Sequence, residues 1–255
     1  MVPFRALESS KTNWTTFLTE SDEITMAELK KSKSSEMCSP GYYVVKGHER
    51  VCHSGTVTWV DTHVRRNRGK IKPGLLIENI HYLYWNSKKK YSALAKIDGY
   101  SKGDEYDSVV QFWLDYWKSQ GVKFPDDLDP LMIKALISVE SSFNPKAKSK
   151  DPKSTASGLM QVTDQMLRVL EGHPNAKKWI EARDHLIHVA KADKLDPIVN
   201  IALGIRILGH KFSQIPKRYP KTARGALIGY HQWNEKGEAY ADEVLSRYEN
   251  ARNKK

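Results

Sequence analysis

From residue 107 onward the chain is dominated by apolar positions at helical spacing. Val109, Phe112, Trp113, Tyr116 and Trp117 recur at the intervals of one helix face, Asp115 and Lys118 fall on the other side, and Gly121 ends the run. Asp129-Pro130 is a helix start, with an N-cap oxygen followed by a proline whose missing N–H costs nothing in the first turn. This helix is expected to reach about Ser142, because Asn144-Pro145 disfavours continuation. Asp196-Pro197 repeats the signal, and Ile198, Ile201, Ile205, Leu208 and Phe212 then share a face, which predicts a buried helix. Two further helices are expected over about 222–230 and 238–250, so everything after residue 107 reads as helical.

The first third has a different pattern. Residues 1–37 are rich in Ser, Thr, Lys and Glu with little periodicity, and are expected to form a mobile arm or weak helix outside any core. Short β-branched and aromatic runs at 42–46 and 56–60 predict a small β element, and 65–72 reads as a basic loop. The chain has no internal repeat. A boundary near 105 therefore divides an arm (1–37) and a small mixed α/β region (38–105) from a mainly α domain (106–255), within what 255 residues allow at about 150 per domain.

Composition sharpens this outline. Hydrophobic residues at 40% and aromatics at 10% exclude a disordered chain. The formal charge of +11 points to a polyanionic partner, whether nucleic acid, anionic lipid or bacterial cell wall. A membrane span is not expected, because Lys134 and Arg206 break the most apolar windows, and residues 1–30 lack the apolar core of a Sec signal. Cys38 and Cys52, with His48, His53 and His63, include zinc-ligand types without the paired spacings of a finger; a disulfide or two free thiols are the other readings. Basic runs at 65–72 and 88–90 are surface for an anionic wall polymer, a delivery apparatus or an inhibitor, or are solvated faces.

One residue carries chemistry. Glu140 follows Ile133, Leu136 and Ile137 on the apolar face of the helix after Pro130, near its C-terminus. Desolvation and the negative end of the helix dipole both disfavour the anion, so its pKa should rise toward that of a general acid working near neutral pH. Glycoside cleavage commonly uses a carboxylic acid in such a setting. The plainer alternative is a buried glutamate held by a helix partner.

The surrounding motifs favour the chemical reading. Glu140-Ser141-Ser142-Phe143-Asn144-Pro145, then Ala147 and Ser149, then Ala156-Ser157-Gly158-Leu159-Met160-Gln161-Val162, resemble the signature of the soluble lytic transglycosylase family. Asp196-Pro197 with Asn200-Ile201, Gly204 and Leu208 resembles that family's next motif, Ala226 and Tyr230 the following one, and Tyr240, Val244 and Leu245 its closing helix. The resemblance covers about 128–250 and implies a lysozyme-like fold that cuts peptidoglycan without metal or organic cofactor. It implies that Glu140 is the catalytic acid/base, that Ser149, Gln161 and Tyr230 line the saccharide groove, and that Met160 and Tyr240 are further groove or wall positions. Loop hydroxyl, core filler and packing residue are the plainer readings of Ser149, Met160 and Tyr240. Gly158 is better explained by a tight turn or close backbone approach.

Most glycosidases need two carboxylates, whereas the family resembled here uses one. Its glutamate protonates the oxygen between MurNAc and GlcNAc, then takes the proton of the sugar's own C6 hydroxyl, which closes to a 1,6-anhydro product. This sequence departs from the family pattern in two places. The 150–155 loop is longer and contains Asp151, a base for water if it faces the sugar and a solvated loop residue otherwise. His231-Gln232-Trp233 replaces the usual Asn-Ala-Gly, so His231 can hydrogen-bond substrate and Trp233 can stack on a sugar.

The expected role is an antibacterial effector delivered by a secretion system such as type VI and restrained by an immunity protein, acting in a target cell's periplasm or wall. A phage-tail or endolysin muramidase, a wall-remodelling enzyme and an inactive glycan-binding protein are the alternatives. No motif supports nucleic-acid binding.

Overall fold

The computed structural model describes residues 25–33, 36–69, 73–173 and 181–254. Most of the expected arm, and positions 70–72 of the basic run, lie outside these residues.

The aromatic helix is α3 (Asp107–Ser119), with Val109, Phe112, Trp113 and Trp117 buried. The two Asp-Pro signals open α4 (Pro130–Ser141) and α6 (Pro197–Ser213). Asp129 Oδ1 accepts from the Met132 amide at 2.9 Å, and Asp196 Oδ1 accepts from Ile198 and Val199 at 3.0 and 3.2 Å. Helix α7 (Ala223–His231) lies close to the expected span, whereas α8 (Glu235–Arg252) begins earlier than expected because Asn234 caps it, accepting from the Lys236 and Gly237 amides. Two short helices, α2 (Ile77–Trp85) and α5 (Asp164–Leu170), have no counterpart in the sequence reading.

Helix α6 is the axis of the molecule and is buried on every side from Ile198 to Lys211. Around it pack α2, α3, α5 and α7, while α8 lies against α4 and α7. Trp117 reaches α6 directly, its indole N–H donating to the Ala202 carbonyl at 3.0 Å. The charged residues that interrupt the apolar windows are buried and paired. Lys134 bridges Asp104 and Asp107 at 2.7 Å each, and Arg206 pairs with Asp184 at 3.2 Å. Asp107 leaves water with Lys134, whereas Asp104 and Asp184 stay partly in solvent; in each case removing the acid would leave a buried cation uncompensated.

The structure corrects four expectations. Leu29, in helix α1 (Met26–Lys33), is buried in the common core, so the 1–37 stretch does not lie wholly outside it. Ile80 and Ile97 belong to the same hydrophobic cluster as Trp113, so the core continues across residue 105. The region after 107 is not purely helical, since β6 (Ile187–His188) pairs in parallel with β5 (Leu75–Leu76). The expected basic loop begins inside a strand, because Arg65 and Arg66 belong to β4 (His63–Arg66).

That strand is part of a hairpin. Strands β1 (Tyr42–Val45) and β2 (His48–Val51) return antiparallel through β3 (Val57–Val60) and β4, with one register running from Tyr42↔Arg66 to Val51↔Val57. Its base is tied to α2, where Asn79 Nδ2 donates to the Tyr42 carbonyl at 3.1 Å and Glu78 Oε1 accepts from the Val44 amide at 3.1 Å. The cysteines are unpaired: Cys38 is buried beside Asn79, its thiol pushed up to about 11 mainly by burial, while Cys52 lies at the end of the hairpin. Among the described residues no helix is long and apolar enough to cross a membrane, and no group of three His, Cys, Asp or Glu is placed to hold a metal.

Candidate active site

Glu140 occupies the last turn of α4, below the fully buried Ile133, Leu136 and Ile137. The helix stops abruptly after it. Ser142 and Phe143 take left-handed backbone angles (φ 53° and 63°), a conformation rarely adopted by side chains of this size, and the Phe143 ring is buried beside Tyr100 and Tyr106. The sharp reversal turns the chain away and leaves the Glu140 carboxyl part-buried, with an accessible edge.

The carboxyl has one hydrogen-bond partner among the described residues. Tyr240, in α8, donates its hydroxyl to Glu140 Oε1 at 2.5 Å. Burial pushes the Glu140 pKa up to about 7, and the Tyr240 hydrogen bond, which favours the anion, opposes part of that rise. Burial, and next the Glu140 charge, hold the Tyr230 and Tyr240 phenols well above the usual tyrosine range. Tyr240 is therefore a neutral hydroxyl donor wherever Glu140 titrates.

Tyr230 lies in the last turn of α7 and donates to the Met160 carbonyl at 2.8 Å, tying the helix to the 157–162 turn. Asn200 on α6 holds the same turn from below. Its side-chain amide donates to the Ser157 and Lys194 carbonyls at 3.0 and 2.6 Å, and its oxygen accepts from the Met160 amide at 2.6 Å. Gly158 (φ 80°) sits where a Cβ would collide with the Asn200 amide, which bears out its reading as a position of close approach. Gln161 has a left-handed backbone (φ 46°) and donates Nε2 to the Gly158 and Ala147 carbonyls at 2.9 and 3.3 Å. Glu140, Tyr230, Tyr240 and the Gln161 turn are thus gathered from four separate stretches of chain.

Other expected positions lie elsewhere. The Met160 side chain is fully buried against α6, with its sulfur where a Cβ on Gly204 would be, so it fills the core and does not form a groove wall. Ser149 serves its own loop, with Oγ accepting from the Asp151 amide at 3.1 Å. Asp151 is exposed and turns its Oδ1 onto the Lys153 amide at 2.9 Å, the geometry of a loop residue. The exposed His231 ring stacks on Tyr240, with centroids 5.0 Å apart and planes 14° from parallel. Desolvation, then the Lys236 charge, hold its imidazole below the usual range. The Trp233 ring covers Gly229 and packs against Tyr219.

Two supporting residues escaped the sequence reading. Asn200 appears there only as part of a motif, because nothing local shows that its amide serves a turn forty positions away. Arg247 spans Tyr100 Oη and Ser138 Oγ, both at 3.1 Å, and so fixes α8 against α4, the two helices that carry Tyr240 and Glu140.

The comparisons with known proteins give the family. Residues 116–243 match the family of transglycosylase SLT domains, and the chain belongs to that family. The 70 kDa soluble lytic transglycosylase SLT70 from Escherichia coli is a similar solved structure, at 16% identity and a TM-score of 0.35 over 67% of this chain. The chain spans 25% of that enzyme's length. A search of curated proteins finds no significant match.

Proposed function

We propose that this chain is a peptidoglycan lytic transglycosylase in which Glu140 is the sole proton-transfer residue. The observation that carries the proposal is the Glu140 carboxyl, buried at a helix end, with its pKa pushed up to about 7 and one neutral hydroxyl donor on its oxygen. At that value the group is populated in both forms near neutral pH, as a residue acting first as acid and then as base requires.

Protonated Glu140 gives its proton to the glycosidic oxygen between MurNAc and GlcNAc as the C1–O bond breaks. The 2-acetamido group stabilises the developing cation. The carboxylate left behind is held by the Tyr240 hydroxyl and then accepts the proton of the C6 hydroxyl as that oxygen closes on C1. The ring closure makes a 1,6-anhydromuramoyl end, consumes no water and returns Glu140 to its starting form. An intramolecular hydroxyl has a large effective concentration over solvent. In this proposal Gln161 shapes the groove, and Tyr230, which is buried and so does not line it as expected, positions the turn that carries Gln161. Hydrolysis would call on a second carboxylate, and the loop geometry of Asp151 favours ring closure instead.

Mass spectrometry of soluble products from purified peptidoglycan tests the assignment. Anhydromuropeptides from the parent and none from Glu140→Gln are expected; reducing muropeptides would convert the proposal to a muramidase, and no release would leave a glycan-binding protein. We place the activity in an antibacterial effector. Directed to the periplasm of a susceptible bacterium, the chain should lyse it unless a protein encoded beside it is co-expressed. Failure of every neighbouring gene to protect would favour a phage role.

A further inference from the structure

The hairpin formed by β1 to β4 takes no part in the chemistry above, yet it is built to touch something. Cross-strand pairing places Tyr43, Val45, Gly47, Glu49 and Val51 on one face with Val57, Trp59, Asp61, His63 and Arg65, Glu49 lying directly opposite Trp59. Trp59 is 64% exposed, and its neighbours toward the tip, Val51 and Val57, are 69% and 57% exposed. The Trp59 ring lies across Gly47, where a Cβ would come within 2.9 Å of it, so one face of the indole rests on the sheet and the other is presented to solvent. Toward the base, Tyr43, Arg65, Arg66 and Arg68 line a cavity of about 210 Å³. None of the three guanidinium groups pairs with a carboxylate among the described residues. Trp59 and Arg65 are six residues apart on one strand face, which is roughly 20 Å at about 3.4 Å per residue.

We propose that this arm is a second contact surface for the peptidoglycan strand, on which Trp59 stacks against a sugar ring and Arg65, Arg66 and Arg68 receive the carboxylates of the stem peptides. The inference rests on the activity proposed above. Charge complementarity at the base selects the occupant: Arg65, Arg66 and Arg68 line one cavity that has no carboxylate in its lining, whereas Glu49 and Asp61 stand at the Trp59 end, and the polymer assigned to the groove carries regularly spaced carboxylates. A planar aromatic face fits the flat C–H face of a pyranose, while guanidinium forks fit carboxylates in bidentate fashion. The arm would hold the chain on an insoluble wall between cleavage events.

Retention on washed insoluble peptidoglycan tests this in Glu140→Gln protein, which leaves the polymer intact. Adding Trp59→Ala with Arg65→Ala and Arg68→Ala should weaken retention at least fivefold, and Trp59→Phe alone should keep most of it. Amidating the polymer's carboxylates should weaken binding of the Glu140→Gln protein in the same way. Equal retention of the arm variant would overturn the proposal. A DNA duplex that displaced the protein as well as soluble peptidoglycan fragments do would also overturn it, in favour of a generic polyanion surface. Failure of the activity assignment looks different: the parent would release no anhydromuropeptides, however tightly the arm held the wall.

Discussion

The helical body and the hairpin arm use the same residue types to opposite ends. In the body, Trp113 and Trp117 are fully buried, and the buried charges of Lys134 and Arg206 are each met by an acid. On the arm, Trp59 and three arginines face solvent, and backbone pairing with a few side-chain hydrogen bonds keeps the register. The difference shows that an aromatic or a cation has no fixed meaning in a sequence. Its role follows from whether a second layer covers the element that carries it, and a two-stranded ribbon has no such layer along most of its length.

The contrast can be broken by experiment. The largest effect belongs to the site: Glu140→Gln should lower turnover by about 10²- to 10⁴-fold, read from anhydromuropeptide release. Next comes the body. Lys134→Met strips Asp107 of its partner, and since burial already raises the pKa of Asp107, the variant should lose about 3–5 kcal/mol in denaturant unfolding. Tyr240→Phe removes the donor that favours the Glu140 anion, so the alkaline limb of the pH–rate profile should move upward by about one pH unit. A further effect on stability comes from linkage. Folded Glu140 titrates at about 7 against an ordinary 4.5, so the folded chain keeps a proton that the unfolded chain gives up in this window. Stability therefore falls as pH rises from 4.5 through 7, and Glu140→Gln should raise the melting temperature over the parent more at pH 8 than at pH 5. The smallest effect is expected on the arm, where Trp59→Ala should change stability by no more than about 0.5 kcal/mol. A loss there as large as that of Lys134→Met would erase the distinction between arm and body.

The same distinction explains what the sequence made legible. Helices α4 and α6 could be read because their Asp-Pro starts are local chemistry and their apolar faces repeat over several turns. Glu140 could be read because burial and dipole follow from its place on such a helix. Strands β2 and β4 could not, since His48-Glu49-Arg50 has neither alternation of polarity nor strong β preference and pairs only because its partner strands hold it in register. Helices α2 and α5 are too short for a clear period. Met160 was misplaced for another reason: the notch that receives it is the missing side chain of Gly204, and complementarity between two distant positions leaves no mark on either one.

The three hydrogen bonds of Asn200 have a consequence for time as well as shape. Two of them fasten the turn beneath the site to the most enclosed helix of the molecule, and the third ties the same amide to Lys194, so opening that turn breaks bonds anchored in α6. In amide-exchange terms, the Met160 N–H belongs with the slowest protons of the core, although its turn is the one that Tyr230 ties to α7. That turn thus behaves as an anvil and not as a hinge: it keeps its shape for as long as α6 keeps its own.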